Sequence, residues 1–144
     1  MKKITSIFHA SIVAAVATIA IASFSSCQEM SSMTIEAAVE SYNEECPIDM
    51  GDGLIMDRVY TSGNNVVFSY KTKDYNVILG IKILGNEAKE LVMDELRQVH
   101  SNDEGTQLLV DLCIEAKYNI VYKYSDYAGN SESVTFSYHD LAQL

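Results

Sequence analysis

The chain has no tryptophan, and of its 144 residues only three are histidine, three are cysteine and one is proline. Basic residues are scarce too: ten Lys and Arg stand against 20 Asp and Glu, a formal net charge of −10. Each shortage removes a class of function. A small domain without tryptophan is poorly equipped for a sugar cleft, which is usually lined by aromatic rings. A chain this acidic repels phosphate backbones, so no nucleic-acid partner is expected. It should also avoid anionic membrane surfaces except through an attached lipid, and the plain role of its acidity is solubility. There is no GxxxxGK[ST] or GxGxxG phosphate loop and no GxSxG elbow. The cysteines have no CxxC partner and no histidine at ligand spacing, which argues against zinc. The acidic loops at Asp49 and Asp52 and at Asp103 and Glu104 miss the spacing of a calcium-binding EF-hand and read as solvated turns. No metal or cofactor is expected.

Only His100 and His139 lie beyond the N-terminal segment, and a Ser/Cys-His-Asp catalyst would have to recruit one of them. His100 falls at the end of an expected helix, where a cation suits the dipole, and His139 falls just past the last expected strand. Both positions have a structural explanation. No catalytic residue is assigned, and the chain is not expected to be an enzyme.

What the sequence does have is a marked beginning. Lys2 and Lys3 precede an apolar run from Ile4 to Phe24, followed by Ser25, Ser26 and Cys27. Residues 1–26 resemble a bacterial lipoprotein signal peptide, which would make Cys27 the acylated first residue of the mature protein. The usual box resembles Leu-Ala-Gly-Cys; Phe24 departs from it, while Ser25 and Ser26 fit. Serine-rich boxes of this kind are similar to those of Bacteroidota lipoproteins. Two rival readings are a soluble secreted protein cut near Ser25 or Ser26 and an uncleaved anchor, because the run is long enough to span a bilayer. The lipoprotein reading is preferred, since a cysteine placed by chance just past an apolar run is uncommon. Acyl chains, palmitate among them, would tether the protein to the membrane without spanning it. Gln28 is not the Asp that resembles an inner-membrane retention signal, so within the cell envelope the outer membrane is favoured.

Removing 26 of the 144 residues leaves 118, enough for one domain with a real core. The loss of Lys2 and Lys3 leaves eight basic residues against 20 acidic, a net charge of −12. Residues 27–33 read as a short lipidated tether and 34–144 as a single domain. Cys46 and Cys113 admit two readings. They could form a disulfide closing a loop of roughly 67 residues, for which chain-entropy estimates reach about 4 kcal/mol, or stay as two buried thiols.

Within the domain, Thr34 caps a helix carrying Ile35, Ala38, Val39 and Tyr42, which should stop before Cys46-Pro47. Asp49 to Gly53 reads as a loop. Leu54–Tyr60 and Asn65–Lys71 flank Thr-Ser-Gly-Asn and read as a hairpin. Residues 75–83 carry both strand and helix signals. They are read as a short helix, followed after Gly85 by a longer one over 86–99 with Asn86 as its cap. Residues 101–105 read as a turn and 106–116 as a third helix. Residues 118–125 and 132–138 form a second hairpin around Asp126–Asn130. The expected fold is α+β: an antiparallel sheet of about four strands in two hairpins, with helices packed on one face. Asn65-Val-Val-Phe-Ser-Tyr70 and Asn119-Ile-Val-Tyr-Lys-Tyr124 echo each other, which reads as half-buried strands reusing residue types rather than as a duplication.

Behind its lipobox, the succession of Cys-Pro, hairpin, helices and hairpin resembles small lipoproteins of gut Bacteroidota, a resemblance that implies no activity. The segment Tyr124–Phe136 is similar to the last hairpin of bacterial immunoglobulin-like domains, although the helical middle argues against that fold. Of nine tyrosines, Tyr70, Tyr122, Tyr124 and Tyr138 suit sheet packing. Tyr127, at a hairpin tip, suits an exposed contact. The leading expectation is an anchored envelope lipoprotein that binds an unknown envelope protein, as an assembly factor or inhibitor. The alternatives are a small-ligand or glycan-binding lipoprotein and an enzyme without recognisable motifs.

Overall fold

A computed structural model describes residues 34–144; the expected signal peptide, Cys27 and the tether lie outside the described residues. Among the described residues, five helices and five strands follow one another as α1 (Ile35–Glu45), β1 (Ile48–Gly51), β2 (Leu54–Ser62), β3 (Asn65–Thr72), α2 (Tyr75–Leu84), α3 (Asn86–Asn102), α4 (Glu104–Ala116), β4 (Asn119–Ser125), β5 (Ser131–Phe136) and α5 (Tyr138–Leu141).

Local chemistry sets most boundaries. The Thr34 hydroxyl accepts from the Ala37 amide at 3.2 Å and starts α1. The helix ends where Cys46, preceding Pro47, turns to an extended conformation. Asp74 caps α2 by accepting from Asn76 N at 2.9 Å. One residue, Gly85, at φ 53 and ψ −114, ends α2 and begins α3. Asn86 is therefore the first residue of α3 and not its cap, and α3 runs on to Asn102. The turn expected over 101–105 shrinks to Asp103, whose carboxylate accepts from Thr106 N at 2.7 Å and Thr106 Oγ1 at 2.9 Å and starts α4 at Glu104. The last strand stops at Phe136. Ser137 and Asp140 then form a reciprocal capping box that puts Tyr138 in α5 instead of the strand.

The sheet departs from the expected antiparallel four. It has five strands in the order β1-β2-β3-β4-β5, and its middle pair, β3 and β4, is parallel. The fifth strand, β1, lies in the stretch expected to be a loop. Ile48 and Met50 point inward and half-buried while Asp49 and Gly51 are exposed, a pattern too short to show as periodicity. The glycine-rich turn signal was real but shorter, with positive φ at Gly51, Asp52 and Gly53. The parallel pair follows from the connection: α2, α3 and α4 form the crossover that a parallel neighbour needs.

The sequence echo has a spatial meaning. Asn65 to Tyr70 lies beside Asn119 to Tyr124 residue for residue, so like stands next to like. Asn119 Nδ2 donates to Asn65 Oδ1 at 2.9 Å. Tyr70 stacks on Tyr124 with centroids 5.2 Å apart, and Phe68 meets Tyr122 at 5.6 Å. The echo joins the second strand of one hairpin to the first of the other, which a repeated αββ unit would not do.

One core cluster joins the helices to one face of the sheet. Leu54, Met56 and Val59 of β2, Val66, Phe68 and Tyr70 of β3, Ile120, Tyr122 and Tyr124 of β4, and Val134 and Phe136 of β5 meet the buried stripes of α1 to α5. Burying each large apolar side chain of this kind contributes about 1.5–3 kcal/mol. Val67 is also buried but stands outside that cluster, on the opposite face. Among the described residues the helices thus cover one face and leave the other open. None of these helices is long and apolar enough to cross a membrane.

Candidate functional site

The tip of the β4–β5 hairpin is built by one side chain. Asp126 accepts from the amides of Ala128 at 2.9 Å and Asn130 at 2.8 Å, and from Asn130 Nδ2 at 2.8 Å. The Asn130 side-chain bond, joined by the amides, holds its carboxyl below the usual carboxylate range. Gly129, at φ 91, supplies the left-handed position that closes the turn. Within this turn Tyr127 is 60% exposed, the most exposed of the three large hydrophobic side chains that stand clear of the described domain. Its ring lies 5.6 Å from the Lys71 ammonium. Lys71 projects from the open face of the sheet, so the tip leans toward that face.

On the open face, strand pairing places side chains in rows. Tyr60, Val67, Val121 and Thr135 form one row; Arg58, Ser69, Lys123 and Ser133 the next; Ile55, Lys71, Ser125 and Ser131 the third. The Arg58 guanidinium sits 4.6 Å from the Tyr60 ring centroid. Arg58 reaches this face only because of the irregularity between Met56 and Arg58, which shifts the alternation of β2 by one residue.

The other residues singled out in the sequence have duller surroundings. Cys46 and Cys113 are free thiols in this structure. Cys46 is half-buried, its Sγ donating to the Tyr42 carbonyl at 3.4 Å, and burial pushes its thiol up. Cys113 is fully buried, and burial pushes its thiol up to about 12. Neither thiol has thiolate character near neutral pH, as a nucleophile needs. His100 lies in the last turn of α3, and its carbonyl accepts from Gln107 Nε2 at 2.7 Å. His139 is exposed in α5, its ring 4.2 Å from that of Tyr138. Among the described residues, no three His, Cys, Asp or Glu side chains converge as metal ligands. Asp49 accepts from Gly51 N at 2.9 Å, and Asp103 is a helix cap.

Tyr70, Tyr122 and Tyr124, which a concave tyrosine-lined sheet face would need, are fully buried beneath the helices. Burial pushes their hydroxyls well above the usual tyrosine range, so they stay protonated. The hydroxyls of Tyr122 and Tyr124 have no hydrogen-bond partner among the described residues. A cavity of about 420 Å³ opens elsewhere, between the start of α1 and the end of α4, lined by Ile35, Leu112 and Tyr118 with Glu36 and Glu115 beside them.

Sequence reasoning singled out Tyr127 from its turn. It missed the basic rows of the open face, because Arg58, Lys71 and Lys123 are far apart in the chain and come together only through sheet register.

No family model matches the chain, and no curated protein does. A solved structure is similar: a crystal structure of a "putative secreted protein" from Pseudomonas aeruginosa, with a TM-score of 0.57 and 12% identity, the match covering 79% of this chain and 94% of the other. At that identity the likeness is one of fold.

Proposed function

We propose that this chain is a lipid-anchored protein of the cell envelope that works by binding another protein, with Tyr127 as a contact residue. The observation that carries the reading is the hairpin tip. A large aromatic ring is held 60% exposed on a turn made rigid by Asp126, with no packing role to explain it. Tyrosine in such a place offers a rigid apolar body with a polar end, which suits an interface anchor ringed by polar residues. The Cys27 signal supports the address. The high pKa values of both described thiols, and the ordinary structural places of His100 and His139, support binding over catalysis.

The test is Tyr127→Ala in the full chain, with partner recovery from envelopes by crosslinking and the melting temperature both measured. Recovery of one specific partner should fall several-fold while the melting temperature stays nearly unchanged. Unfolding of the domain by this substitution would make Tyr127 a packing residue, and the contact site would disappear.

A further inference from the structure

From the open face of the sheet we infer that the partner presents a carboxylate-rich protein segment, docked across β2, β3 and β4 beside Tyr127. The inference rests on the binding reading above and names the chemistry it would recognise.

The argument starts from charge. The chain has ten basic residues against 20 acidic ones, and eight of the basic residues lie in the described domain. Three of those eight, Arg58, Lys71 and Lys123, share this one face. Register puts Arg58 and Lys123 in one row with only Ser69 between them, and Lys71 in the next row. With strands about 4.8 Å apart, the backbones of Arg58 and Lys123 stand roughly 10 Å from each other, a spacing that neighbouring carboxylates on an extended segment can match.

Asp57, the unpaired residue of the β2 irregularity, stands next to Arg58, and two further carboxylates, both turned to their own backbone, border the face. Asp49, opposite Ile55 on β1, accepts from Gly51 N. Asp126 is held by the amides of the hairpin tip. Neither is bonded to the three cations. Two of the cations lie instead over aromatic rings, Arg58 over Tyr60 and Lys71 over Tyr127. These contacts pre-position the cations without neutralising them.

Beside the cations stand half-buried Ile55 and Val121, while Val67 is buried, so the face mixes apolar and basic side chains. That mixture suits an acidic protein segment, whose own apolar side chains can meet Ile55 and Val121. A nucleic acid or an anionic bilayer fits less well, since each is an extended anionic surface that would also press on the acidic remainder of the domain, whereas a short segment can stay on the basic rows.

The test uses the full chain in its native envelopes. A photo-crosslinking phenylalanine derivative is placed at Ser133 or Thr135, two of the exposed open-face positions of β5, and separately at Tyr127. Crosslinked peptides are identified by mass spectrometry. The expected product from Ser133 or Thr135 is a segment of another protein rich in Asp and Glu. Its yield should fall about tenfold in roughly 0.5 M salt, where the screening length is on the order of 4 Å. A similar fall is expected in R58E/K123E and a smaller one in R58Q/K123Q, while R58K/K123R keeps most of the yield. Circular dichroism of each variant should match the parent. A product that is glycan, lipid or a second copy of the chain would overturn the inference. So would a segment without acidic residues, a yield indifferent to salt and charge reversal, or no product from Ser133 and Thr135. If the Tyr127 position still captures one protein when the open-face product fails, the binding reading stands and only the acidic segment is lost. If neither position captures a protein, both fall.

Discussion

Two hydroxyl groups carry a test at the scale of single residues. Tyr122 and Tyr124 are buried with their hydroxyls unpartnered among the described residues. A buried, unmatched hydroxyl costs about 1–3 kcal/mol of desolvation, while the ring around it keeps its packing. Tyr122→Phe and Tyr124→Phe are therefore expected to hold or raise the melting temperature in calorimetry; a clear loss would show that the hydroxyls are bonded in solution. The thiols offer a second test. With its thiol pushed up to about 12, Cys113 should resist iodoacetamide at neutral pH in the native protein, and half-buried Cys46 should react first. If both resist even after unfolding without reductant, the two are joined by a disulfide in the native protein. Residue identity made Tyr127 legible from sequence, because a tyrosine among turn formers has nothing to pack against. Arg58 was not legible: counting by twos from Leu54 and Met56 puts it in the core, and only the shift after Met56 turns it outward.

Among the elements, α5 is small but tied down at both ends of its capping box. Asp140 accepts from Ser137 N at 2.9 Å and from Lys89 Nζ at 2.8 Å, which links it to α3. The Lys89 bond, with help from Ser137, holds its carboxyl below the usual carboxylate range. A depressed folded-state pKa gives stability that is present above the unfolded value, about 3.9, and is lost as pH falls through the lower folded value. Asp140→Asn should therefore lower stability at neutral pH by an amount on the order of 1 kcal/mol, typical of a lost helix cap. It should also flatten the decline in melting temperature below about pH 4. Equal acid sensitivity in parent and variant would remove Asp140 from this role. Most elements were legible because their signals are local: Thr34 before an apolar stripe, Gly63 at a two-residue turn, apolar steps along α3. β1 was not, since four residues show no period. The parallel pairing of β3 and β4 was not either, because it depends on where three helices return the chain.

On the scale of the whole molecule, four tyrosines in one core make stability depend on alkaline pH. Burial raises the hydroxyls of Tyr42, Tyr70, Tyr122 and Tyr124. For groups raised in the folded state, the contribution is complete below the unfolded value, about 10, and is lost as pH rises past it. Phenolate absorbance from these four should therefore appear only together with unfolding, followed by circular dichroism; ionisation in a still-folded domain would contradict the burial. The address is tested on the whole chain as well: Cys27→Ala should abolish palmitate incorporation and block maturation. The order of the sheet has a further consequence for how the protein is made. Once residues up to Thr72 have emerged, β3 has its antiparallel neighbour but not its parallel one, and the missing partner begins only at Asn119. Until the whole intervening crossover has appeared, a strand rich in valine and aromatic residues presents bare amides and carbonyls to whatever is nearby. Such an edge is a template for pairing with the wrong chain. A chain delivered from its N-terminus would pass through this state every time, so its yield in the cell should depend on a holding chaperone more than its finished stability would suggest.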